Sequence, residues 1–195
     1  MLWGVFDVLP IEIYGRWDKG IVMDKYKKSC TYLGDDQNGY PQFSNEYTQL
    51  GHLIYSMKYN GHDDTSDQIA HLIADDVRKW IETVDIDVLV SVPPSVDRTF
   101  QPVFQIVESL AHELKLPFSN NVLVKTDHSS VKNIEKERRS LSGLIAQKIA
   151  AKRHCNVLLV DDFYSTGSTA NECVSVLKSD QSVDKVYFLA MVKTK

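Results

Sequence analysis

The chain has 195 residues, of which 43% are hydrophobic and 25% are charged, and its formal net charge is −4. This length suits one domain with an elaborated end, and the apolar fraction is sufficient for a buried core. The acidic balance does not indicate a nucleic-acid binder, which would present a basic surface. No apolar run approaches the roughly 18 residues of a membrane span, and no cationic-apolar leader begins the chain. We therefore expect a cytoplasmic protein with no membrane partner.

The first 43 residues are rich in aromatic side chains and interrupted by glycines. Residues 5–9 and 20–24 predict short antiparallel strands, and residues 35–39 predict a turn. We therefore divide the chain into a small β-rich hood or extension, residues 1–43, and a core domain, residues 44–195. Aromatic rings in the hood could stack on a nucleobase, but we expect most of them to form the hood's own core.

The rest of the chain alternates between helix and strand patterns. Helical spacing of apolar residues covers 45–58 and 66–82 and resumes at residue 103, with Ser44 or Asn45 as the first cap and Gly61 as a stop signal. Strand patterns cover 86–92, 121–124, 157–160 and 186–192, whereas 143–153 fits either a helix or a strand. This alternation predicts an α/β fold with a mainly parallel sheet and helices on both faces.

The three cysteines, Cys30, Cys155 and Cys173, are widely separated. Because no Cys-x-x-Cys pair occurs, the sequence supports neither a zinc ribbon nor a disulfide framework. We expect Cys173 to be a small core residue of a helix rather than a nucleophile.

The most informative segment is Val157-Leu-Leu-Val-Asp-Asp-Phe-Tyr-Ser-Thr-Gly-Ser-Thr169. Its apolar run predicts a buried parallel strand that ends at Val160, where a bend would let both Asp161 and Asp162 face the crevice above the sheet. A carboxylate accepts hydrogen bonds only, so a pair of them suits vicinal hydroxyls or a hydroxyl-bound Mg²⁺. The small residues around Gly167 then open a helix, whose free amides and positive dipole end suit a phosphate. The alternative is a buried strand followed by an ordinary polar turn.

This segment resembles the phosphoribosyl-pyrophosphate (PRPP) signature of type I phosphoribosyltransferases. The resemblance implies that Asp161 and Asp162 hold the ribose hydroxyls. It also implies that a phosphate loop binds the 5′-phosphate; the loop comprises Ser165, Thr166, Gly167, Ser168 and Thr169. Enzymes of this type that act on hypoxanthine or guanine commonly have an aspartate where this chain has Ser165, so we do not expect an ordinary salvage enzyme for those bases.

A second segment resembles the ComF-like, competence-associated branch of the same family. Residues 86–92 predict another buried strand, and Pro93-Pro94-Ser95 lead to the run Arg98-Thr-Phe-Gln-Pro102. The resemblance implies a pyrophosphate site formed by Pro94, Ser95, Arg98 and Lys58, with Lys58 placed just before Gly61. The structural alternatives are that the prolines only end the strand and that the charge of Lys58 only complements the C-terminus of its helix. The chain lacks the N-terminal zinc-binding cysteines of many ComF-like proteins.

Residues 126–142 are polar, and the resemblance implies that they form the mobile lid of the family. Lys132 and Arg138 are the catalytic candidates here, since a cation can stabilise charge that develops on departing pyrophosphate. The alternative is a solvated helix face with ion pairs such as Glu135 to Arg139.

Together the resemblance implies a PRPP-dependent transferase that moves ribose 5-phosphate to an unidentified base or amine. It implies Mg²⁺ carried by PRPP, with no direct protein ligand and with contact to Asp161 and Asp162 through water. The resemblance also implies one form of assembly, a homodimer. Two alternatives remain: a non-catalytic PRPP- or nucleotide-sensing module linked to DNA uptake or nucleic-acid machinery, and a phosphatase- or receiver-like protein that uses the acids for Mg²⁺.

Overall fold

The structure is a computed structural model that describes residues 8–60, 65–94, 100–126 and 143–194. The ten strands and four helices of this part of the chain are β1 (Ile11–Glu12), β2 (Gly20–Lys25), β3 (Lys27–Asp35), β4 (Pro41–Tyr47), α1 (Gln49–Asn60), α2 (Thr65–Ile81), β5 (Val88–Ser91), α3 (Pro102–Leu114), β6 (Phe118–Ser119), β7 (Leu123–Lys125), β8 (Ile145–Gln147), β9 (Cys155–Tyr164), α4 (Ser168–Leu177) and β10 (Val183–Lys193). None of these helices is long and apolar enough to cross a membrane.

A six-stranded sheet in the order β1-β2-β10-β9-β5-β6 forms the centre of the fold. Only β1 runs antiparallel to its neighbour; the other four pairs are parallel. The two central strands, β9 and β10, consist of near-continuous apolar residues, as expected for parallel strands covered on both faces. The predicted α/β class with a mainly parallel sheet is confirmed.

The side chains of the central strands alternate between two cores. Leu158 and Leu189 point to the face covered by α1, α2 and α3. Leu159 and Ala190 point to the opposite face, which packs against α4 and the β7–β8 pair. Helices therefore cover both faces, as the alternation of patterns predicted.

The N-terminal segment differs from the strand arrangement that we expected. The antiparallel neighbour of β2 is β1 at residues 11–12; of the strand predicted at 5–9, the described residues 8 and 9 are not in a strand. The other edge of β2 joins the central sheet parallel to β10, with Val22 opposite Ala190. The antiparallel prediction for residues 20–24 was therefore wrong on that edge, because the apolar residues of β2 complete both cores. The division at residue 43 stays a prediction, and residues 1–7 lie outside the described part of the chain.

The aromatic residues of this segment also differ in their surroundings. Trp17 is buried against Phe188, as expected of a core residue. Tyr14, between β1 and β2, is instead exposed. Tyr32 is exposed as well, because it lies on β3, which forms with β4 a separate two-stranded ribbon of mostly exposed residues. The predicted turn at residues 35–39 closes this ribbon, with Asp36 Oδ1 accepting hydrogen bonds from two turn amides.

The helix and strand boundaries otherwise follow the sequence patterns, with local corrections. α1 begins at Gln49 rather than at residue 45, because β4 runs to Tyr47. Thr48 is the cap, since its Oγ1 accepts a 2.9 Å hydrogen bond from the amide of Gly51. Gly61, the predicted stop, lies outside the described residues. The ambiguous segment 143–153 contains the strand β8, which pairs antiparallel with β7 and not with the central sheet.

Candidate functional site

The candidate site lies where β9 extends beyond the end of one neighbouring strand, β5. The ladder between β5 and β9 ends at Ser91 and Val160, whereas the ladder with β10 continues to Tyr164. A cleft of about 220 Å³ opens at this edge, and both Asp161 and Asp162 line it. The prediction that the strand ends at Val160 was wrong, because the β10 ladder carries it four residues further, from Val160 to Tyr164. The expectation that both acids face one crevice is met.

The two acids have different surroundings. Asp162 forms an ion pair with Lys58, whose Nζ lies 3.1 Å from Oδ2. The carboxylate of Asp161 accepts a 2.9 Å hydrogen bond from the backbone amide of Asp162. Burial, followed by the neighbouring charge of Asp162, raises the pKa of Asp161 well above its usual value. The pair therefore combines Asp161, whose raised pKa favours the neutral form, with Asp162, which has a cationic partner in Lys58.

Lys58 is held at the cleft by two contacts. It stands in the last turn of α1, where a cation complements the helix dipole. Its Nζ lies 4.0 Å from the centroid of the Phe163 ring, a cation–π distance, in addition to the ion pair with Asp162. The structure thus brings Lys58 to the acid pair and to the lining of the cleft. The purely structural alternative, a charge that only complements the helix end, does not account for these contacts.

The predicted phosphate loop bounds a smaller groove of about 120 Å³, which also reaches Asp161. Gly167 caps α4 with φ 74°, a left-handed conformation that side chains disfavour. A Cβ at Gly167 would lie 3.0 Å from the Tyr164 ring, which would have to move by a few tenths of an ångström to admit a side chain. Ser165, Thr166, Ser168 and Thr169 are the exposed members of this loop.

The amides of this loop remain available for an anion. The first helical hydrogen bond of α4 joins the Asn171 amide to the Gly167 carbonyl, so the amides before it have no helical acceptor. Within the described residues, the Ser168 amide has only a long 3.4 Å contact with Thr166 Oγ1. A helix N-terminus of this kind, with hydroxyls beside it, is suited to bind a phosphate.

The predicted pyrophosphate wall is only partly described. Pro94 lines the cleft together with Pro93, directly after β5. Ser95 and Arg98 lie outside the described residues. Next to the wall, the Ser91 hydroxyl is buried and has no hydrogen-bond partner among the described residues.

The predicted lid, residues 126–142, lies almost wholly outside the described part of the chain, and so do Lys132 and Arg138. Thr126 is its described member, and its amide donates a 3.0 Å hydrogen bond to the carbonyl of Leu144. This contact joins the two flanks of the segment at the end of the β7–β8 pair.

Sequence reasoning missed two residues of the cleft. Lys125, the last residue of β7, lines it and adds a second described cation besides Lys58. Phe163 lines it as well and separates Lys58 from Tyr26. The only available signal for Lys125 was its position at the end of a predicted strand.

Phe163 begins a row of aromatic rings. Its ring centroid lies 4.9 Å from that of Tyr26, and Tyr26 lies 5.1 Å from Tyr47. Tyr47 contacts Tyr55, which contacts Tyr59. Burial, with the nearby phenols, raises the pKa of Tyr26. The row runs from the cleft across the base of the β3–β4 ribbon.

The acid pair does not form a complete metal site. Within the described residues, no group of three or more metal-ligating side chains occurs. The ammonium of Lys58 already occupies one side of Asp162. These residues fit Mg²⁺ that arrives on substrate phosphates and keeps its waters, since Mg²⁺ needs few protein ligands in that setting.

No family model and no curated protein matches the sequence. Solved structures that align with the chain include an adenine phosphoribosyltransferase, at 16% identity and a TM-score of 0.47 over 85% of this chain and 87% of that one. Another, from Saccharomyces cerevisiae in complex with an imino-altritol bisphosphate and adenine, aligns at 15% identity and a TM-score of 0.45, covering 83% of each chain. The adenine phosphoribosyltransferase of Leishmania tarentolae aligns at 12% identity and a TM-score of 0.45, over 95% of this chain and 94% of that one. At these identities and scores the alignments assign neither family nor function.

Proposed function

We propose that this protein binds PRPP and transfers its ribose 5-phosphate to a nitrogen acceptor with release of pyrophosphate. One observation carries the proposal: the cleft of the acid pair and the groove of the phosphate loop adjoin at the carboxyl end of β9, where Asp161 and Thr169 line both. A pair of hydrogen-bond acceptors beside a row of anion-binding amides matches the hydroxyls and phosphate of a phosphorylated sugar.

In this proposal Asp161 and Asp162 bind the ribose hydroxyls, and Ser165 to Thr169 bind the 5′-phosphate through amides and hydroxyls. A cation that arrives with the sugar phosphate favours the ionised form of Asp161, so binding should lower the raised pKa of this acid. Protons are then released on binding at pH values between the pKa of the free protein and that of the complex, and affinity falls at low pH.

The reaction needs stabilisation of the leaving group. Displacement at C1 of the ribose builds positive charge on the ring and negative charge on pyrophosphate, as in glycoside transfer. Lys58 and Lys125, which both line the cleft, are placed to attract that polyanion. Ser95, Arg98, Lys132 and Arg138 are proposed to add to this charge. When bound with PRPP, Mg²⁺ would neutralise part of the pyrophosphate charge.

The acceptor is proposed to enter beside Phe163 and Tyr26, where the aromatic row offers flat apolar surface next to the acids. Ser165 has only a weakly acidic hydroxyl, so the loop supplies no carboxylate to assist a purine. We therefore propose an acceptor other than hypoxanthine or guanine.

The test is pyrophosphate release from PRPP and Mg²⁺ across a panel of bases and amines. We expect turnover with at least one acceptor, and little with hypoxanthine or guanine. Efficient conversion of hypoxanthine would contradict the role given to Ser165. The Asp161→Asn, Asp162→Asn double variant should release no pyrophosphate with any acceptor.

A non-catalytic sensor of PRPP or nucleotides is the second candidate. The lack of a carboxylate at Ser165 favours it, since binding of a sugar phosphate does not require a base. It is the function that the ComF-like resemblance links with DNA uptake. Tight PRPP binding with no turnover on any acceptor would support the sensor and refute the transferase.

A further inference from the structure

The turn between β1 and β2, residues 13–19, places a tryptophan behind the groove of the phosphate loop. Trp17 is 6% exposed, and its ring packs on that of Phe188 with the centroids 4.7 Å apart. It also meets the ring of Tyr164 edge to face, at a centroid distance of 6.3 Å. Phe188 and Tyr164 both line the groove, so the indole forms a second layer behind two of its lining residues.

The rings of Trp17 and Tyr164 also fill the space beside Gly167. A Cβ at Gly167 would lie 3.0 Å from Tyr164 Cε2 and 3.3 Å from Trp17 Cη2. Glycine populates positive and negative φ about equally, so its own preference does not fix the φ of 74° at Gly167. Contacts from the surrounding structure therefore select this conformation, and the two rings are the nearest neighbours on that side of the backbone.

The indole of Trp17 is itself held in one orientation. Its Nε1 donates a 2.9 Å hydrogen bond to the carbonyl of Ile13. Glycines border it on two sides, since a Cβ at either Gly15 or Gly20 would overlap the ring. A ring packed this closely transmits its position to its neighbours, because protein interiors contain little free space.

The same turn is fastened to α4. The amide of Arg16 donates a 2.8 Å hydrogen bond to Asn171 Oδ1, and its guanidinium donates a 2.6 Å bond to Ser175 Oγ. Lys178 donates a 3.0 Å hydrogen bond to the Arg16 carbonyl and forms a 2.8 Å ion pair with Asp18. The turn is thus fixed on the helix whose first amides bound the phosphate groove.

We propose that Trp17 is a positioning residue of the phosphate loop. Acting through the ring of Tyr164, it holds Gly167 at positive φ and so keeps the first amides of α4 directed at the bound phosphoryl group. The N-terminal segment then serves the phosphate end of the site. This inference rests on the proposed function, which supplies the phosphoryl group that the loop binds.

Trp17→Phe tests the proposal, because it keeps an aromatic ring but removes both Nε1 and the outer ring atoms next to Gly167. Two quantities are measured: the affinity for ribose 5-phosphate, by calorimetry, and the backbone order parameter of Gly167 in the ligand-free protein, by ¹⁵N relaxation. Trp80→Phe is the matched control. Trp80 meets Tyr187 edge to face at the same centroid distance of 6.3 Å, but it packs on the core of the opposite face of the sheet.

We expect Trp17→Phe to weaken ribose 5-phosphate binding about tenfold, as it would if about a tenth of the loop population kept the binding conformation. The order parameter of Gly167 should fall from about 0.85 to below about 0.6. Trp80→Phe should change neither quantity. Asn171→Ala, which removes the acceptor of the Arg16 amide without opening a core cavity, should weaken binding about threefold and keeps the proposal testable if Trp17→Phe does not fold.

Unchanged affinity and unchanged loop order in Asn171→Ala and in folded Trp17→Phe would overturn the proposal. Equal effects in Trp80→Phe would overturn it too, because they would show a general loosening of the fold. Failure of the proposed function gives a different result: the wild-type protein would not bind ribose 5-phosphate, while Trp17→Phe would still lower the order parameter of Gly167 and support the positioning role.

Discussion

Replacement of Lys58 by methionine tests how far the positive charge beside Asp161 and Asp162 stabilises the protein. Methionine keeps much of the apolar stem beside Phe163 but removes the ammonium that lies 3.1 Å from Asp162. At an effective dielectric constant of about 20, the attraction across that distance is about 5 kcal/mol. Desolvation of the two ions offsets more than half of it, so we expect the variant to lose about 2 kcal/mol of unfolding free energy at neutral pH.

The pH dependence of that loss identifies its cause. Lys58 also favours the ionised form of Asp161, whose pKa is raised by burial and by Asp162. At low pH Asp161 is neutral in the folded state, so this second attraction is absent. It returns as the pH rises through the folded-state pKa, and the cost of Lys58→Met should therefore be larger at about pH 8 than at about pH 5.

Urea unfolding of the wild-type protein, Lys58→Met and Lys58→Arg at both pH values checks this prediction. Lys58→Arg keeps the charge and should lose less than about half as much free energy as the methionine variant. A loss that is the same at both pH values would refute the contribution of Asp161. Equal losses in Lys58→Met and Lys58→Arg would show that packing on Phe163, rather than charge, determines the cost. A double-mutant cycle with Asp162→Asn would then measure little coupling.

Two further predictions concern the acid pair and the loop. Asp161→Asn should raise the unfolding free energy by about 1 kcal/mol at about pH 8, because a neutral side chain replaces a buried acid. The gain should vanish as the pH falls below the ordinary aspartate pKa of 3.8, where Asp161 becomes neutral in both states; a gain that persists at about pH 2.5 would refute a charge origin. Gly167→Ala should cost about 1–2 kcal/mol of stability because φ is 74°, and it should weaken ribose 5-phosphate binding at least tenfold, measured by calorimetry. Gly39→Ala is the matched control, with φ 81° and open space around it, and should lose stability without any change in that affinity.

The strongest local patterns predicted the framework of the site. The apolar runs at 157–160 and 186–192 became the two central strands, and Asp161 and Asp162 face a cleft at their carboxyl end. Such segments are predictable because their periodicity and their turn residues are encoded locally. Gly167 could be singled out for the same reason, since its left-handed backbone is a property of one position.

Contacts between distant segments could not be predicted in the same way. β2 pairs with β10, and this pairing places Val22 opposite Ala190 although more than 160 positions separate them along the chain. The approach of Lys125 to the cleft depends on the β7–β8 pairing, and that of Tyr26 to Phe163 depends on where the ribbon joins the sheet. No local pattern encodes these distances, because they follow from the packing of the whole fold.

Calorimetric titration with PRPP and Mg²⁺ measures the central claim most directly. The wild-type protein should bind one PRPP per chain and release protons from the acid pair, and Asp161→Asn with Asp162→Asn should bind at least about a hundredfold more weakly while remaining folded. Equal affinity in the wild-type protein and the folded double variant would show that the two carboxyl groups do not hold the sugar.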